Sequence, residues 1–249
     1  MMARLKTAPR SWQLLPWAVV VLAGLVAPVI GLLLVAGSTD PAALSVLPSP
    51  VIALGMMGTG MIAAAAAGRF WTGVSLAFAA GAGLVLLAAS LGMPPLPRPL
   101  SFGLASIIAS ISFAARGALF ARSAADKGWW IAVAVVAGEA ALLVTAALLP
   151  GELPDWLLVV LPAQWASAAI MTALTGTGAA SAELLALAGT AAATLLVARL
   201  WPRRWPYLVM FSAWLGFSAL VWHWPALADP AKPATAALSS PSARQDRSD

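Results

Sequence analysis

Eight apolar runs of membrane-spanning length fill most of this chain, at residues 13–37, 47–67, 71–92, 100–121, 129–149, 156–175, 181–200 and 205–226. A helix crossing the ~30 Å hydrocarbon core needs about 20 mostly apolar residues. In lipid, only helices and closed barrels satisfy every backbone N–H and C=O. No run alternates polar and apolar residues with period two, which argues against a barrel. The pattern therefore predicts an all-α, polytopic integral membrane helical bundle of about eight transmembrane helices.

Composition agrees. Charged residues make up 9% of the chain, against about 25% in soluble domains. The first run exceeds the ~7–15 apolar residues of a cleavable signal peptide and reads as a retained anchor. The chain then divides into three regions: a cytoplasmic N-terminal segment (1–12), the bundle (13–226) and a Pro-, Ser- and Ala-rich tail (227–249) expected to be disordered. Arginine outnumbers lysine and alanine dominates the apolar residues, which fits a bacterial inner-membrane protein. The net charge of +5 reads as topology signal and lipid contact. Basic residues do not cluster with aromatics on a soluble face, so nucleic acid is not an expected partner. The expected partners are the bilayer itself, other proteins or further copies of the chain.

Orientation follows from the positive charges. Arg4, Lys6 and Arg10 precede the first run and place the N-terminus in the cytoplasm. Arg69, then Arg122 and Lys127, mark inner turns, while the turns around residues 38–50, 93–99 and 150–155 read as outer. Beyond these turns the rule stops deciding. With eight crossings Arg199, Arg203 and Arg204 lie outside. If only one of runs six and seven crosses, seven crossings remain and those arginines lie inside. Runs 1, 3, 5 and 8 each enter with a basic residue followed by Trp, a grammar that favours seven. Apolar length favours eight, and eight is the expectation adopted. The Trp12, Trp71 and Trp129 entries, with LAGLV, GAGLV and GEAALL after them, fit either a duplicated two-helix unit or chance matches among Ala- and Leu-rich helices.

The residues present exclude much chemistry. There is no cysteine and one histidine, His223, so thiolate, bis-histidine haem and histidine-based zinc sites lack ligands. No aspartate lies inside a run, no lysine lies mid-run, and no nucleophile-elbow or phosphate-loop motif occurs. No catalytic residue, metal or cofactor is expected.

Four polar residues remain as candidates for a buried substrate or polar site. Glu139 sits about 15 Å into its run at 1.5 Å per residue, near the bilayer midplane. A charged acid there costs about 2.5–3.5 kcal/mol on insertion scales. That cost is met by protonation, by a cationic partner or by water in a cavity. Arg116, on the neighbouring antiparallel helix at an offset of about 6 Å, is the candidate partner, and Ser106, Ser110 and Ser112 give its helix a polar flank. Gln164 is also near mid-depth, just after Pro162. That proline removes a backbone donor and frees a carbonyl, as in the broken helices of transporters. Glu183 comes two residues after Ser181; if Ser181 caps that helix, Glu183 sits in its first turn, where the helix dipole favours an acid.

Three function classes fit: a transporter or permease-like protein with its site around Glu139, Arg116 and Gln164; a non-catalytic membrane subunit or sensor domain acting through partners; and a membrane enzyme working on lipid. The scarcity of acid/base and nucleophilic groups ranks the enzyme last.

Overall fold

The computed structural model describes residues 10–38, 47–92, 97–149, 151–176 and 181–200, with Val209, Ser212, Ala213 and Gly216. Every regular element among them is a helix. The tail at 227–249 and most of the run at 205–226 lie outside the described residues, as do Arg203, Arg204 and His223.

The first run folds as α1 (Arg10–Val21), a π-helical turn (Leu22–Val26) and α2 (Ala27–Ala36). Pro28 explains the irregularity. It has no N–H to give the carbonyl of Gly24, and its ring would crowd that carbonyl in an α-helix. The chain widens by one residue instead, and the N–H of Ala27 bonds back to the carbonyl of Leu22. Then come α3 (Pro48–Ala67), α4 (Phe70–Ser90), α5 (Pro99–Ala124) and, after a 3-10 turn at Ala125–Lys127, α6 (Gly128–Leu148). The chain continues through a short α7 (Asp155–Val159), α8 (Pro162–Thr175) and α9 (Ser181–Leu200).

Five runs among the described residues are long and apolar enough to cross a membrane: Leu14–Ala36, Pro48–Ala67, Phe70–Ser90, Pro99–Leu148 and Ser181–Leu200. The fourth contains two helices, because the chain folds back at Ala125–Lys127. Gly128 lies so close to α5 that a Cβ there would sit 2.6 Å from the carbonyl oxygen of Phe120. Leu34, Leu86, Leu148 and Leu200 are exposed on the outside of the bundle, as expected of helices whose solvent is lipid.

The bundle is built around α3, which packs against the first run and α4, α5, α6 and α8. Its sequence, PSPVIALGMMGTGMIAAAAA, contains no charge and few branched side chains, so other backbones can approach on all sides. α5 approaches closely, where a Cβ on Gly117 would sit 2.2 Å from the carbonyl oxygen of Met61. Gly68, in the left-handed region at φ 62°, turns α3 into α4.

The helices share two ends. α3 and α5 begin at one, marked by Pro48, Pro97 and Pro99, and here called the proline end. Arg69, Arg122, Lys127 and Arg199 mark the other, the basic end. A guanidinium nitrogen of Arg122, on α5, donates to the carbonyl of Ala198 in the last turn of α9. This contact sets the end of α9 beside the end of α5 and places a cation where the helix dipole favours one.

The run over 156–175, expected as the sixth crossing, is broken at Pro162, the proline the sequence singled out. Proline at 162 offers no N–H to the carbonyl of Leu158, which takes the N–H of Leu161 instead at 3.1 Å. Leu161 itself is extended, at φ −84° and ψ 117°, as the residue before proline prefers.

Beyond the break the chain reverses. Ala163 lies against Glu139, near the middle of α6. One turn later Ser167 donates to Ser49, in the first turn of α3, at 3.4 Å. At the C-terminal end of α8, a Cβ on Gly176 would sit 3.2 Å from Cγ of Pro97. α8 therefore runs outward from the middle of the bundle to the proline end. α6 finishes at that same end, so α7 and α8 form a hairpin that enters the bundle halfway and returns. The sixth run does not pass from one end to the other.

Candidate functional site

Glu139 is where the hairpin is held. The buried positions of α6 are Gly128, Ala132, Val136, Glu139 and Leu143, a helical stripe of period about 3.6 that faces the bundle. The acid therefore points inward because its register does, and it is 7% exposed. Its Oε2 accepts the backbone N–H of Ala163 at 3.0 Å.

That bond completes the hydrogen bonding at the start of α8. The first N–H groups of a helix have no partner within the helix. Pro162 has none to satisfy. The N–H groups of Gln164 and Trp165 bond to the carbonyl of Leu161 at 3.1 and 3.4 Å. Ala163 is left, and the residue before the helix is a leucine, which has no side-chain oxygen with which to cap it. Glu139 supplies from another helix the acceptor that Ser, Asp or Asn ordinarily supplies locally. Its charge also lies at the positive end of the α8 dipole.

Arg116 is 8% exposed and does not bond to Glu139. Its Nη1 donates to Oγ of Ser112 at 2.6 Å and its Nη2 to Oγ1 of Thr190, on α9, at 3.2 Å. The two charged groups are within Coulombic reach, but the contact expected from sequence is absent, and the turn at Ala125–Lys127 explains why. It sets Gly128 beside Phe120 rather than beside the last residue of α5. Glu139 then stands about 16 Å along α6 from that level and Arg116 only about 6 Å along α5. The offset is thus larger than the one expected from sequence.

Gln164 is half-buried, one residue beyond the Glu139 contact. Gly216, from the last apolar run, approaches the break itself: a Cβ there would sit 3.6 Å from Cγ1 of Val160. Glu183 is in the first turn of α9 as expected. Ser181 is already helical, and the capping position before it lies outside the described residues. The Oε2 of Glu183 is shielded from solvent and has no hydrogen-bond partner among the described residues, and no bond links it to Glu139 or Arg116. The structure thus brings Glu139 and the Pro162–Gln164 segment together, holds Arg116 nearby, and leaves Glu183 apart.

Sequence reasoning missed two groups. The backbone N–H of Ala163 carries no side-chain signal, although Pro162 marked a helix break beside it. Thr190 was legible only as one of two threonines, with Thr194, one turn apart in an apolar helix.

No protein-family model matches the chain, and no curated protein or solved structure matches it.

Proposed function

We propose that this chain is a transporter or permease-like protein of the bacterial inner membrane, with its polar site where Glu139 meets the N-terminus of α8. The carrying observation is the Glu139–Ala163 bond at a helix break inside the bundle. Non-helical backbone at membrane depth is tolerated only where it is buried in protein or lines a cavity. Half-helices whose N-termini point at negative charge are a recurring way to build a transport site. On this reading the described residues make six crossings, with the α7–α8 hairpin as a re-entrant element, in keeping with the seven-crossing alternative read from the sequence. Arg199 then falls with Arg69, Arg122 and Lys127 at the basic end, which the positive-inside rule places in the cytoplasm together with the N-terminus.

A second reading is favoured by a different observation: every backbone donor described at the start of α8 already has an internal partner. A non-catalytic membrane subunit could use Glu139 purely as a brace.

Accessibility separates the two. The chain has no cysteine, so single cysteines can be introduced without a background. In right-side-out and inverted vesicles, Gln164→Cys is expected to react with a membrane-impermeant thiol reagent from at least one side. Asp126→Cys, at an exposed position of the basic end, is the positive control. A folded Gln164→Cys protein that is inert from both sides would favour the brace and remove the transport site.

A further inference from the structure

We propose that the ion driving this site is a proton, taken up by the Glu139 carboxylate, and that its binding releases the N-terminus of α8. This rests on the transport reading above and names its coupling ion.

The geometry around Glu139 selects among cations. A metal cation such as sodium needs several oxygen ligands at once. Glu139 meets a backbone N–H on α8 and, within Coulombic reach, the guanidinium of Arg116. Neither group offers an oxygen ligand to a metal ion. A proton needs only one oxygen lone pair and forms a covalent O–H, so the same surroundings admit it.

The surroundings also leave the proton one destination. α3 carries no titratable side chain along Pro48–Ala67, and α8 carries none along Pro162–Thr175. On α5 the charged group within reach is Arg116, whose bonds are to Ser112 and Thr190. In the turn before α6, Asp126 and Lys127 are exposed at the basic end, more than ten residues from Glu139. Among the described residues Glu139 is the carboxylate bonded to the start of α8; the hairpin's own Asp155 opens α7, seven residues before Pro162.

Protonation reverses what that contact does. In the step, hydronium gives its proton to the carboxylate: one O–H bond of hydronium breaks and leaves water, one O–H bond forms on the carboxyl, and the negative charge is lost. The ionised carboxylate is a charge-assisted acceptor for the Ala163 N–H and lies at the positive end of the α8 dipole. The neutral acid is a weaker acceptor. It also carries a donor of its own, facing a helix start that presents N–H donors. The Leu161 carbonyl is already shared by Gln164 and Trp165. The bond that holds the hairpin is therefore present in the deprotonated state and weakened in the protonated one. Losing one hydrogen bond to a charged group corresponds to roughly tenfold or more in the local opening equilibrium.

The test measures the labelling rate of Gln164→Cys in proteoliposomes with an impermeant thiol reagent, as a ratio to the rate of Asp126→Cys at each pH. The ratio is expected to rise roughly tenfold or more on acidification. Glu139→Gln should hold it at the high value at every pH, and exchanging sodium for potassium should leave it unchanged. A ratio that ignores pH, that changes equally in Glu139→Gln, or that follows sodium overturns the proposal while leaving the transport site standing. No labelling under any condition overturns the transport site itself. If Glu139→Gln does not fold, hydrogen exchange on the unsubstituted chain decides. Amides 160–166, corrected for intrinsic rate, should lose protection on acidification while those of α3 do not. Unchanged protection overturns the proposal.

Discussion

The carboxylate of Glu139 accepts the backbone N–H of Ala163 at 3.0 Å, so a side chain in the middle of α6 caps a helix that begins more than twenty residues later. The bond ties the innermost point of the α7–α8 hairpin to a helix that runs the length of the bundle. Removing it tests how much of the hairpin's position depends on one acceptor. Glu139→Leu leaves the Ala163 N–H buried without a partner and is expected to cost about 1–3 kcal/mol. Glu139→Gln keeps a carbonyl acceptor and should cost less. Thermal denaturation of the purified variants in detergent reads both, and equal losses would mean that charge rather than hydrogen bonding holds the hairpin.

The reversal of α8 makes a topological prediction that needs no knowledge of activity. Glu152 precedes the hairpin and Thr175 ends it, and both positions are exposed. Glu152→Cys and Thr175→Cys should label from the same side of the membrane, and Asp126→Cys from the opposite side. Labelling of Glu152→Cys and Thr175→Cys from opposite sides would make the α7–α8 segment a full crossing.

Arg116 should depend on its neutral partners. With Ser112 and Thr190 as acceptors, Thr190→Val leaves part of a buried guanidinium unsatisfied. Its expected cost is about 1–3 kcal/mol. The same substitution should cost markedly less once Arg116 is replaced by Met. A double-mutant cycle on thermal stability measures the difference, and purely additive losses would show that Thr190 acts elsewhere.

Close packing of α5 on α3 gives a fourth expectation. A methyl group at Gly117 would meet the Met61 carbonyl at 2.2 Å, whereas one at Gly138 meets nothing within 4 Å. Gly117→Ala should therefore destabilise by about 1–3 kcal/mol, as overpacking does. Gly138→Ala should stay within about 0.5 kcal/mol, the range of an unconstrained surface site. Midpoints of thermal unfolding for the two variants, measured side by side, check the contrast.

The sequence was legible wherever the information was local. Apolar run length set the helices, because a backbone in lipid must satisfy its own hydrogen bonds. The cost of a charged acid in lipid turned Glu139 inward, and the structure sets it on the buried stripe of α6. Pro162 announced a helix break, because it lacks the donor that a continuing helix requires.

Direction and partnership were not legible. Hydropathy reports that residues 156–175 suit lipid-like surroundings, and a crossing helix and a hairpin that turns back suit them equally. Contacts remote in sequence decided between the two: Ser167 with Ser49, and Gly176 with Pro97. For Glu139 the sequence established an acid at mid-depth that had to be satisfied, and Arg116 was the charge opposite. The tertiary fold gave Arg116 to Ser112 and Thr190 and gave Glu139 to a backbone amide. The physical reason is that one tight turn at Ala125–Lys127 shifted α6 along α5, and a shift of a few ångströms is enough to exchange one hydrogen-bond partner for another.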